Sequence, residues 1–400
     1  MNRILVVCSG YPPDIKGGGE KSTQILAQGL SAKGHEVRVL TVADQDGERL
    51  DVDGRTHIKM VHSSNVYWNF RAGQSLLGKL FWHAFDNYNP VAIRMVEKVI
   101  HEIKPDIVVS STVENFGPAI WQACRRLGIP VVHILRSYYI RCYKGTMFSR
   151  GKNCASSCVK CRVLTLGRRY AARHVDGVVG ISQFILNQHK ALFSTALTIA
   201  IPNAVQPLDM HIKPRQPGNV VTFGYLGRIE PEKGIAEILE TFRQLPENCH
   251  LVIAGHGKPD YESQLRQSFA CERIQFLGWV DADSVYSMID FAVIPSLWNE
   301  PFGRVVIEAY SHGVPVIASA RGGLSELVSD GRLGYLFDPS KQGDLRRACL
   351  RAAGGIATYD LMSASVRAEA QRYGTSEIVE RYEKFFDQIL NKTNARQPSR

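Results

Sequence analysis

Short apolar runs alternate with amphipathic stretches along almost the whole chain. In the first half the apolar runs are RILVVCS, EVRVLTV, DIVVSST, IPVVHILR and DGVVGIS. In the second half they are VVTFGYLG, HLVIAGHG, RIQFLGWV, FAVIPS and VPVIAS, each followed by a helical pattern. Continuous apolar runs predict strands buried on both faces of a parallel sheet, and their alternation with helices predicts βαβ units. The sequence therefore predicts an α/β fold with a parallel sheet in each half.

The chain is long enough for two domains. It has 400 residues, of which 44% are apolar and 22% charged, and one hydrophobic core rarely serves that length. A stretch rich in Pro and Gly separates the halves, so we predict an N-terminal domain over 1–204, a linker over 205–219, a C-terminal domain over 220–375, and a helix with a polar tail over 376–400. Ligands of open α/β sheets bind beyond the carboxyl ends of the strands, so we expect a substrate between the two domains.

Two glutamates, Glu300 and Glu308, lie around a Pro-Phe-Gly turn and a predicted helix start. A carboxylate accepts several hydrogen bonds and so suits the vicinal diol of a sugar or ribose. In the alternative reading, Glu308 lies on the solvent face of the helix and Glu300 only favours the helix dipole. Upstream, Arg228 and Lys233 surround a helix start marked by Pro231, where free amides and cations suit a diphosphate, although such charges are commonly just exposed.

A glycine-rich turn follows the first strand and opens a helix. Gly17, Gly18 and Gly19 would let backbone amides approach a ligand closely. The pattern matches neither the G-x-G-x-x-G dinucleotide motif nor a Walker A motif.

Together these residues resemble the retaining GT-B glycosyltransferases of family 4, which use sugar nucleotides. The matching segments are the Gly17 to Gly19 turn with Glu20, IPNAV around Asn203, GRIEPEKG, IAGHGKP, FLGWV, and Glu300-x7-Glu308 followed by HGVPVIASARGG. The resemblance spans nearly the whole chain. It implies the α/β GT-B architecture, in which two Rossmann-like domains with doubly wound parallel sheets face each other across a cleft. The N-terminal domain would bind the acceptor and the C-terminal domain the nucleotide sugar.

The resemblance also implies a role for each matching residue. Glu308 would hold the ribose hydroxyls, and Glu300 would lie against the donor sugar. Arg228 and Lys233 would neutralise the leaving diphosphate. Further donor contacts are implied for Gly17, Gly18, Gly19, Asn203, Gly278, Phe302, Gly303, Arg304 and Val305.

One position departs from the family pattern. Relatives with a comparable loop carry a catalytic-site histidine where this chain has Arg136, in the segment RSYYIRC. We include Arg136 among the candidate catalytic residues, where it would hold a donor phosphate or an anionic acceptor. His133, three residues earlier, is predicted to be a core histidine.

Three Asp-x-Asp triplets, beginning at Asp44, Asp51 and Asp281, raise the question of a catalytic metal. We expect structural roles for them, with Asp281 capping a helix. Enzymes of the resembling family generally need no such metal, because cations such as Arg228 and Lys233 neutralise the diphosphate. We therefore predict no cofactor for catalysis.

Four cysteines crowd into a basic loop over about 137–164: Cys142, Cys154, Cys158 and Cys161. Their spacing is C-x11-C-x3-C-x2-C, and two of the gaps fall in the range of zinc sites. A structural zinc site and free thiols are equally favoured interpretations of this cluster, and a redox disulfide is less favoured than either.

The net charge of +10 comes from the first half, where 26 Lys and Arg face 14 Asp and Glu. No acidic residue occurs over 115–175. A field of one sign over such a length suits an anionic partner, although it can also be a solvated surface. The aromatic and apolar residues mixed with these cations predict contact with a lipid interface: Tyr138, Tyr139, Tyr143, Met147 and Phe148.

The first apolar run is too short for a signal peptide, and no run reaches the roughly 18 residues of a membrane span. We therefore predict a cytoplasmic protein that is peripheral at the inner face of an anionic membrane. Its predicted partners are a nucleotide-sugar donor and an anionic, lipid-linked acceptor, without nucleic acid.

The predicted activity is retaining transfer of a sugar from a UDP- or GDP-sugar to a lipid-linked glycan intermediate of cell-surface polysaccharide or lipopolysaccharide synthesis. No candidate nucleophile stands out, which favours same-face displacement helped by stabilisation of the leaving group. Two alternatives are a nucleotide-sugar-binding protein without turnover and a sugar-phosphate or sucrose-type synthase.

Overall fold

The computed structural model describes residues 1–13, 17–65, 75–206, 218 and 220–395. In these ranges the strands are β1 (Arg3–Cys8), β2 (Glu36–Ala43), β3 (Gly47–Leu50), β4 (His57–His62), β5 (Ile107–Ser110), β6 (Val131–Leu135), β7 (Phe148–Ser149), β8 (Lys152–Asn153), β9 (Gly177–Gly180), β10 (Leu197–Ala200), β11 (Val221–Leu226), β12 (Cys249–Ala254), β13 (Ile274–Gly278), β14 (Phe291–Ile294), β15 (Val316–Ser319) and β16 (Gly334–Phe337). The α-helices are α1 (Gly18–Ala32), α2 (Leu76–Asn87), α3 (Pro90–Ile103), α4 (Ala119–Leu127), α5 (Val159–Leu164), α6 (Leu166–Ala171), α7 (Gln183–His189), α8 (Ile235–Arg243), α9 (Pro259–Phe269), α10 (Ala282–Met288), α11 (Arg304–Ser311), α12 (Leu324–Leu327), α13 (Asp344–Gly354), α14 (Tyr359–Ala370) and α15 (Thr375–Asn394). None of the described helices is long and apolar enough to cross a lipid bilayer.

The chain forms two compact units, and unit 1 comprises Met1–Met147, Ala155–Ala204 and the chain from Thr375 onward. Its described residues form an eight-stranded sheet in the order β10-β9-β6-β5-β1-β2-β4-β3. All neighbouring strands are parallel except β3 and β4, which are antiparallel. Strands β5 and β6 are buried along their whole length, as their continuous apolar runs predicted.

Unit 2 comprises Phe148–Cys154 and Val205–Gly374. Its described residues form a six-stranded parallel sheet in the order β13-β12-β11-β14-β15-β16, and a separate β7-β8 pair. Counted within the sheet, this is the 3-2-1-4-5-6 order of the doubly wound Rossmann fold, whose switch point lies between β11 and β14. Phe223 and Phe291 stack in its core with ring centroids 5.7 Å apart. The predicted α/β class with two Rossmann-like parallel sheets is confirmed.

Two segments lie outside the units that the predicted boundaries gave them. Residues 148–154 were predicted in the N-terminal domain but belong to unit 2, because Asn153 hydrogen-bonds the loop after β14. Helix α15 was predicted as a separate terminal element but belongs to unit 1. There the Glu383 carboxylate lies 2.8 Å from His35, and Arg381 donates to the Ala200 carbonyl at 2.7 Å. Most of the predicted linker, at 207–217 and 219, and the end of the predicted tail, at 396–400, lie outside the described residues.

A buried ion pair anchors the helices of unit 1 that follow the basic loop. The sequence placed Arg168 in a basic block that is usually solvated, but it is fully buried against the Asp86 carboxylate. Tyr139 donates its hydroxyl to Asp86 at 2.5 Å, and Arg168 donates to the Tyr139 carbonyl at 3.0 Å. These bonds join α6 to α2 and to the segment after β6. Because an unpaired buried charge is costly, Arg168 and Asp86 must stay together, and this holds the helices in place.

Candidate active site

The residues of unit 2 that the sequence singled out follow the carboxyl ends of its strands. Arg228 and Lys233 lie in the loop after β11, Glu300 lies in the loop after β14, and Gly278 ends β13. Helix α11 follows the Glu300 loop and carries Glu308. The carboxyl ends of parallel strands meet at one edge of a sheet, and the β11 and β14 loops flank the switch point, where ligands of such sheets bind.

Glu300 is a buried carboxylate with a charged partner. Glu300 is only 8% exposed. Its Oε1 accepts a hydrogen bond from Lys233 Nζ at 2.6 Å and another from Ser296 Oγ at 2.6 Å. Burial raises the pKa of the Glu300 carboxyl, but the Lys233 ammonium and hydrogen bonds from Lys233, Ser296 and Trp298 outweigh burial and lower it below its usual value. Glu300 is therefore ionised at neutral pH.

Close backbone packing brings the Lys233 and Glu300 loops together. Gly234 has φ +72°, and a Cβ there would lie 1.9 Å from the Pro295 carbonyl oxygen. Gly322 has φ +61°, and a Cβ there would lie 2.2 Å from the Glu300 carbonyl oxygen. That oxygen also accepts from the Gly323 amide at 2.7 Å. The loops after β11, β14 and β15 can therefore approach this closely only because residues 234 and 322 are glycines.

Glu308 has a partner within its own helix. Arg304 Nε donates to Glu308 Oε1 at 2.7 Å, an i, i+4 pair in which both side chains stay partly exposed. Gly303 caps the helix in the left-handed conformation, and the preceding Phe302 is buried with its ring 6.4 Å from that of Tyr373. The i, i+4 spacing in the sequence could have revealed the Arg304 partner.

Arg228 and Gly278 are more open. The Arg228 side chain is 61% exposed and pairs with Glu230 at 2.9 Å, while the Arg228 carbonyl accepts from the Tyr225 hydroxyl at 2.6 Å. The Gly278 carbonyl accepts from the Gly255 amide at 2.7 Å, which joins the ends of β12 and β13. The Arg228 guanidinium is thus accessible to an anion.

Asn153, which the sequence analysis did not identify, also holds the Glu300 loop in place. Asn153, in β8, donates its side-chain amide to the Leu297 carbonyl at 2.8 Å, and its Oδ1 accepts from the Asn299 amide at 2.7 Å. Both bonds join positions more than 140 residues apart. No local sequence pattern signals such a contact.

In unit 1 the candidate residues also gather at the carboxyl edge of the sheet. Arg136 Nε donates to Ser111 Oγ at 2.7 Å, and its Nη1 donates to Asn203 Oδ1. A Cβ on Gly19 would lie 3.7 Å from Arg136 Cδ, so the glycine turn packs beside the arginine. Gly18 begins α1, and the Gly17 amide donates to the Glu20 carboxylate at 3.1 Å.

Glu114 is a second residue that the sequence reasoning did not single out. It lines a small pocket together with Arg136 and Ser137, and the Ser9 hydroxyl lies 3.4 Å from its carboxylate. Burial raises the pKa of the Glu114 carboxyl. The pocket thus combines a fixed cation with a carboxyl whose pKa is raised by burial.

His133, Asp281 and Asp51 make structural contacts. His133 is buried, its Nδ1 lies 3.0 Å from Ser110 Oγ, and burial lowers its pKa to about 3, which confirms the prediction of a core histidine. Asp281 caps α10 by accepting from the Ser284 amide at 3.2 Å, as predicted. Asp51 is buried and accepts from the Tyr11 hydroxyl at 2.8 Å.

The cysteines of the basic loop are partly clustered. The Sγ atoms of Cys142 and Cys161 are 3.8 Å apart, and both residues are buried, whereas Cys158 is exposed. The Cys161 amide and thiol lower the pKa of Cys158, and burial raises the pKa of Cys161 to about 12. Among the described residues, no three His, Cys, Asp or Glu side chains are arranged to hold a metal ion.

The prediction that the aromatic and apolar residues of the basic loop meet a lipid interface is wrong for three of them. Tyr138, Tyr139 and Met147 are buried in unit 1. Tyr139 is drawn inward because its hydroxyl and carbonyl bond the Asp86 and Arg168 pair.

Comparisons with known proteins identify related sequences and folds. Residues 17–204 match the glycosyl transferase 4-like domain, and residues 209–353 match glycosyl transferases group 1. A Klebsiella pneumoniae relative, an uncharacterized 42.6 kDa protein in the cps region, is 31% identical over 335 residues, which covers 82% of this chain and 87% of the relative.

Two solved structures share the fold. HepE from Anabaena, in complex with UDP, has a TM-score of 0.73 and 20% identity over 97% of this chain and 100% of that chain. Sucrose-phosphate synthase from Thermosynechococcus elongatus has a TM-score of 0.80 and 18% identity over 98% of this chain and 100% of that chain.

The Lys233–Glu300 pair predicts a pH-dependent loss of stability in Lys233→Met. Ionised Glu300 stabilises the wild type above the unfolded pKa of about 4.3, and this contribution is lost as pH falls through the lower folded pKa. In the variant the buried carboxylate has no ammonium, so the free energy of unfolding at pH 7 should fall by about 3 kcal/mol. The deficit should shrink towards pH 4.

Urea unfolding at pH 7 and at pH 3.5, followed by circular dichroism and by hydrogen exchange of unit 2 amides, measures this deficit. The control is Lys341→Met, because the Lys341 side chain is 69% exposed and 4.0 Å from Asp338. Its effect should stay within about 0.5 kcal/mol. An equal deficit for Lys233→Met at pH 7 and pH 3.5 would show that the ion pair is not the cause.

Proposed function

The chain belongs to the glycosyl transferases group 1, that is, to glycosyltransferase family 4, and from this premise we propose that it transfers a sugar from a UDP- or GDP-sugar to an anionic, lipid-linked acceptor. The transfer retains the configuration at the anomeric carbon. The acceptor is a glycan intermediate of cell-surface polysaccharide synthesis. Transfer takes place in the cytoplasm at the inner face of an anionic membrane.

The observation that carries the proposal is the ionised Glu300, held by Lys233 at the switch point of the unit 2 sheet. A buried carboxylate with an ammonium partner offers an acceptor to sugar hydroxyls and a cation to phosphate at one place. Glu308, on the helix that follows, serves the ribose diol. The UDP in the HepE complex supports a nucleotide as the donor.

Two cations suit the leaving diphosphate. An ammonium carries three donors, so the bond from Lys233 to Glu300 leaves donors for phosphate oxygens. The exposed Arg228 guanidinium can close onto the same diphosphate. The amides of Arg304 and Val305, at the start of α11, add partial positive charge next to Phe302 and Gly303. The loop at Gly278 serves the base.

Charge on the diphosphate grows as the bond to the anomeric carbon breaks, so these cations act most strongly in the transition state. The acceptor oxygen forms its bond to the anomeric carbon on the face that the diphosphate leaves. The acceptor proton passes to a leaving phosphate oxygen. This same-face displacement retains configuration without an enzyme nucleophile and without a catalytic metal.

The Arg136 group supports an anionic acceptor. Ser111 and Asn203 fix the guanidinium, which has donors to spare for a phosphate of the acceptor. The acid-free stretch over 115–175 adds positive charge to unit 1. The Klebsiella pneumoniae relative, named for the cps region, supports a role in polysaccharide synthesis.

A panel of UDP- and GDP-sugars tests the function. We expect calorimetric binding of one donor class and slow release of the free sugar by the purified chain, with the initial anomer retained by NMR. Binding without release would favour a nucleotide-sugar-binding protein, and rapid transfer to a sugar phosphate would favour a sucrose-type synthase. Failure to bind any nucleotide sugar would contradict the proposal.

Two substitutions should separate donor binding from turnover. Glu308→Ala should weaken donor binding by about 1–3 kcal/mol, because the ribose diol loses a charged partner. Arg228→Ala should lower kcat more than donor affinity, because its partner charge develops in the transition state. Calorimetry and steady-state kinetics measure both effects, with Arg243→Ala as the exposed-arginine control. Unchanged donor affinity in Glu308→Ala would remove that residue from the site.

We further propose structural zinc in the basic loop. The x3 and x2 gaps support it, and the 3.8 Å between Cys142 and Cys161 Sγ is about the separation of two thiolates on one tetrahedral zinc. The ligand set predicted from the sequence also includes Cys154 and Cys158. Elemental analysis of protein purified without chelator should find close to one equivalent of zinc per chain. The zinc content should be lower in Cys161→Ser. Less than about a tenth of an equivalent in the wild type would favour free thiols.

A further inference from the structure

Exposed apolar side chains are concentrated on neighbouring helices of unit 1. Phe81 on α2 is 60% exposed, and Val159 at the start of α5 is 77% exposed. We call the whole set the apolar surface: Leu77, Leu80, Phe81, Phe85, Tyr88, Val91, Val159, Val163, Leu166 and Tyr170. Single exposed apolar residues are ordinary, but a group of this kind marks an interaction surface.

Hydrogen bonds and packing join the part of this surface on α2 to the part on α5 and α6. Helix α2 packs against α5 and α6. The side-chain amide of Asn87, at the end of α2, donates to the Leu164 carbonyl at 2.7 Å, and its Oδ1 accepts from the Gly167 amide at 3.0 Å. The buried Asp86 and Arg168 pair fixes the same junction. The apolar surface is therefore a fixed feature of the folded unit.

Helix α2 carries apolar side chains on its buried side and also on an exposed side. Trp82 faces the core, and its indole N–H donates to Asn115 at 3.0 Å. Leu77, Phe81 and Phe85 recur at i, i+4 and i+8 on the outer face. A row of large apolar side chains on the exposed side of a helix calls for a second apolar environment besides the core of its own domain.

Apart from the buried Asp86, the charged residues of α2, α5 and α6 have one sign. Cations on the same helices and next to them are Lys79, Lys160, Arg162, Arg169 and Arg173. Within α2, α5 and α6 the only acidic residue is Asp86, which is fully buried against Arg168. The Lys160 ammonium lies 4.9 Å from the Tyr143 ring centroid, and the Arg173 guanidinium 3.5 Å from that of Tyr170, so cations and aromatic rings intermingle.

We propose that the apolar surface docks unit 1 onto an anionic phospholipid bilayer. Leu77, Phe81, Val159 and Leu166 enter the boundary between headgroups and acyl chains, while the surrounding Lys and Arg contact anionic headgroups. This deepens the proposed function, since a lipid-linked acceptor lies in such a membrane. It places membrane contact on α2, α5 and α6 rather than on the tyrosines of the basic loop.

A second copy of the chain fits this surface less well. In a two-fold symmetric dimer the same patch faces itself, so the cations of one copy would oppose those of the other without an exposed acidic residue on α2, α5 or α6 between them. An anionic leaflet supplies the missing charge together with the apolar environment.

Co-sedimentation of the full chain with vesicles tests the proposal. We expect binding to vesicles of 70% phosphatidylcholine and 30% phosphatidylglycerol, little binding to phosphatidylcholine alone, and weaker binding at 0.5 M salt than at 0.1 M. The double variant Phe81→Asp, Leu166→Asp should lower the partition coefficient at least tenfold. Controls are Val52→Asp and Leu361→Asp, at positions 88% and 72% exposed outside the apolar surface, which should bind as the wild type does.

Each result decides a separate question. Wild-type-like binding by the double variant, equal binding to neutral vesicles, or no binding by the wild type would overturn the proposal. A wild-type dimer that the double variant dissociates, without vesicle binding, would assign the surface to a second copy and overturn it as well. Circular dichroism and donor calorimetry on the double variant check folding and unit 2. Vesicle binding without donor binding by the wild type would reject the proposed function and leave the docking surface standing.

Discussion

The ion pair between Lys233 and Glu300 sets the conditions for the rest of unit 2. A carboxylate removed from water is costly, and the cost is offset only if a cation and further donors approach it closely. Lys233 Nζ and Ser296 Oγ do so at 2.6 Å each. That approach in turn requires the β11 and β14 loops to touch, which Gly234 permits at the Pro295 carbonyl. Electrostatics and backbone packing at the switch point therefore depend on each other.

Much of the fold could be predicted from local patterns. Continuous apolar runs separated by amphipathic stretches are enough to predict parallel strands covered by helices, and unit 2 has the doubly wound order that such a pattern favours. The cap at Asp281 was predictable because a short acceptor side chain precedes a helix. The position of Arg228, Lys233 and Glu300 in loops at the carboxyl edge was predictable because each follows an apolar run. In each case the signal lies within a few residues.

Other features depend on contacts between distant parts of the chain. The bonds from Asn153 to the Glu300 loop arise from a two-residue strand whose sequence has no periodicity to read. Tyr139 and Arg168 look like part of a solvated basic block, yet Asp86, far earlier in the chain, draws both into the core. Charge composition alone could not distinguish the buried Arg168 from the exposed Lys160. Burial of a cation depends on a partner that only the tertiary structure supplies.

The order in which the chain visits its two units has a consequence for synthesis. The chain enters unit 2 at Phe148, returns to unit 1 at Ala155, leaves again at Val205 and comes back at Thr375. Domains tend to fold as units while the ribosome is still adding residues. Here the first residues made belong to a unit whose last helix, α15, is made after all of unit 2. Buried residues of α15, such as Phe385 and Phe386, thus reach unit 1 only near the end of translation. Part of the core of unit 1 therefore stays uncovered during translation until α15 has been made.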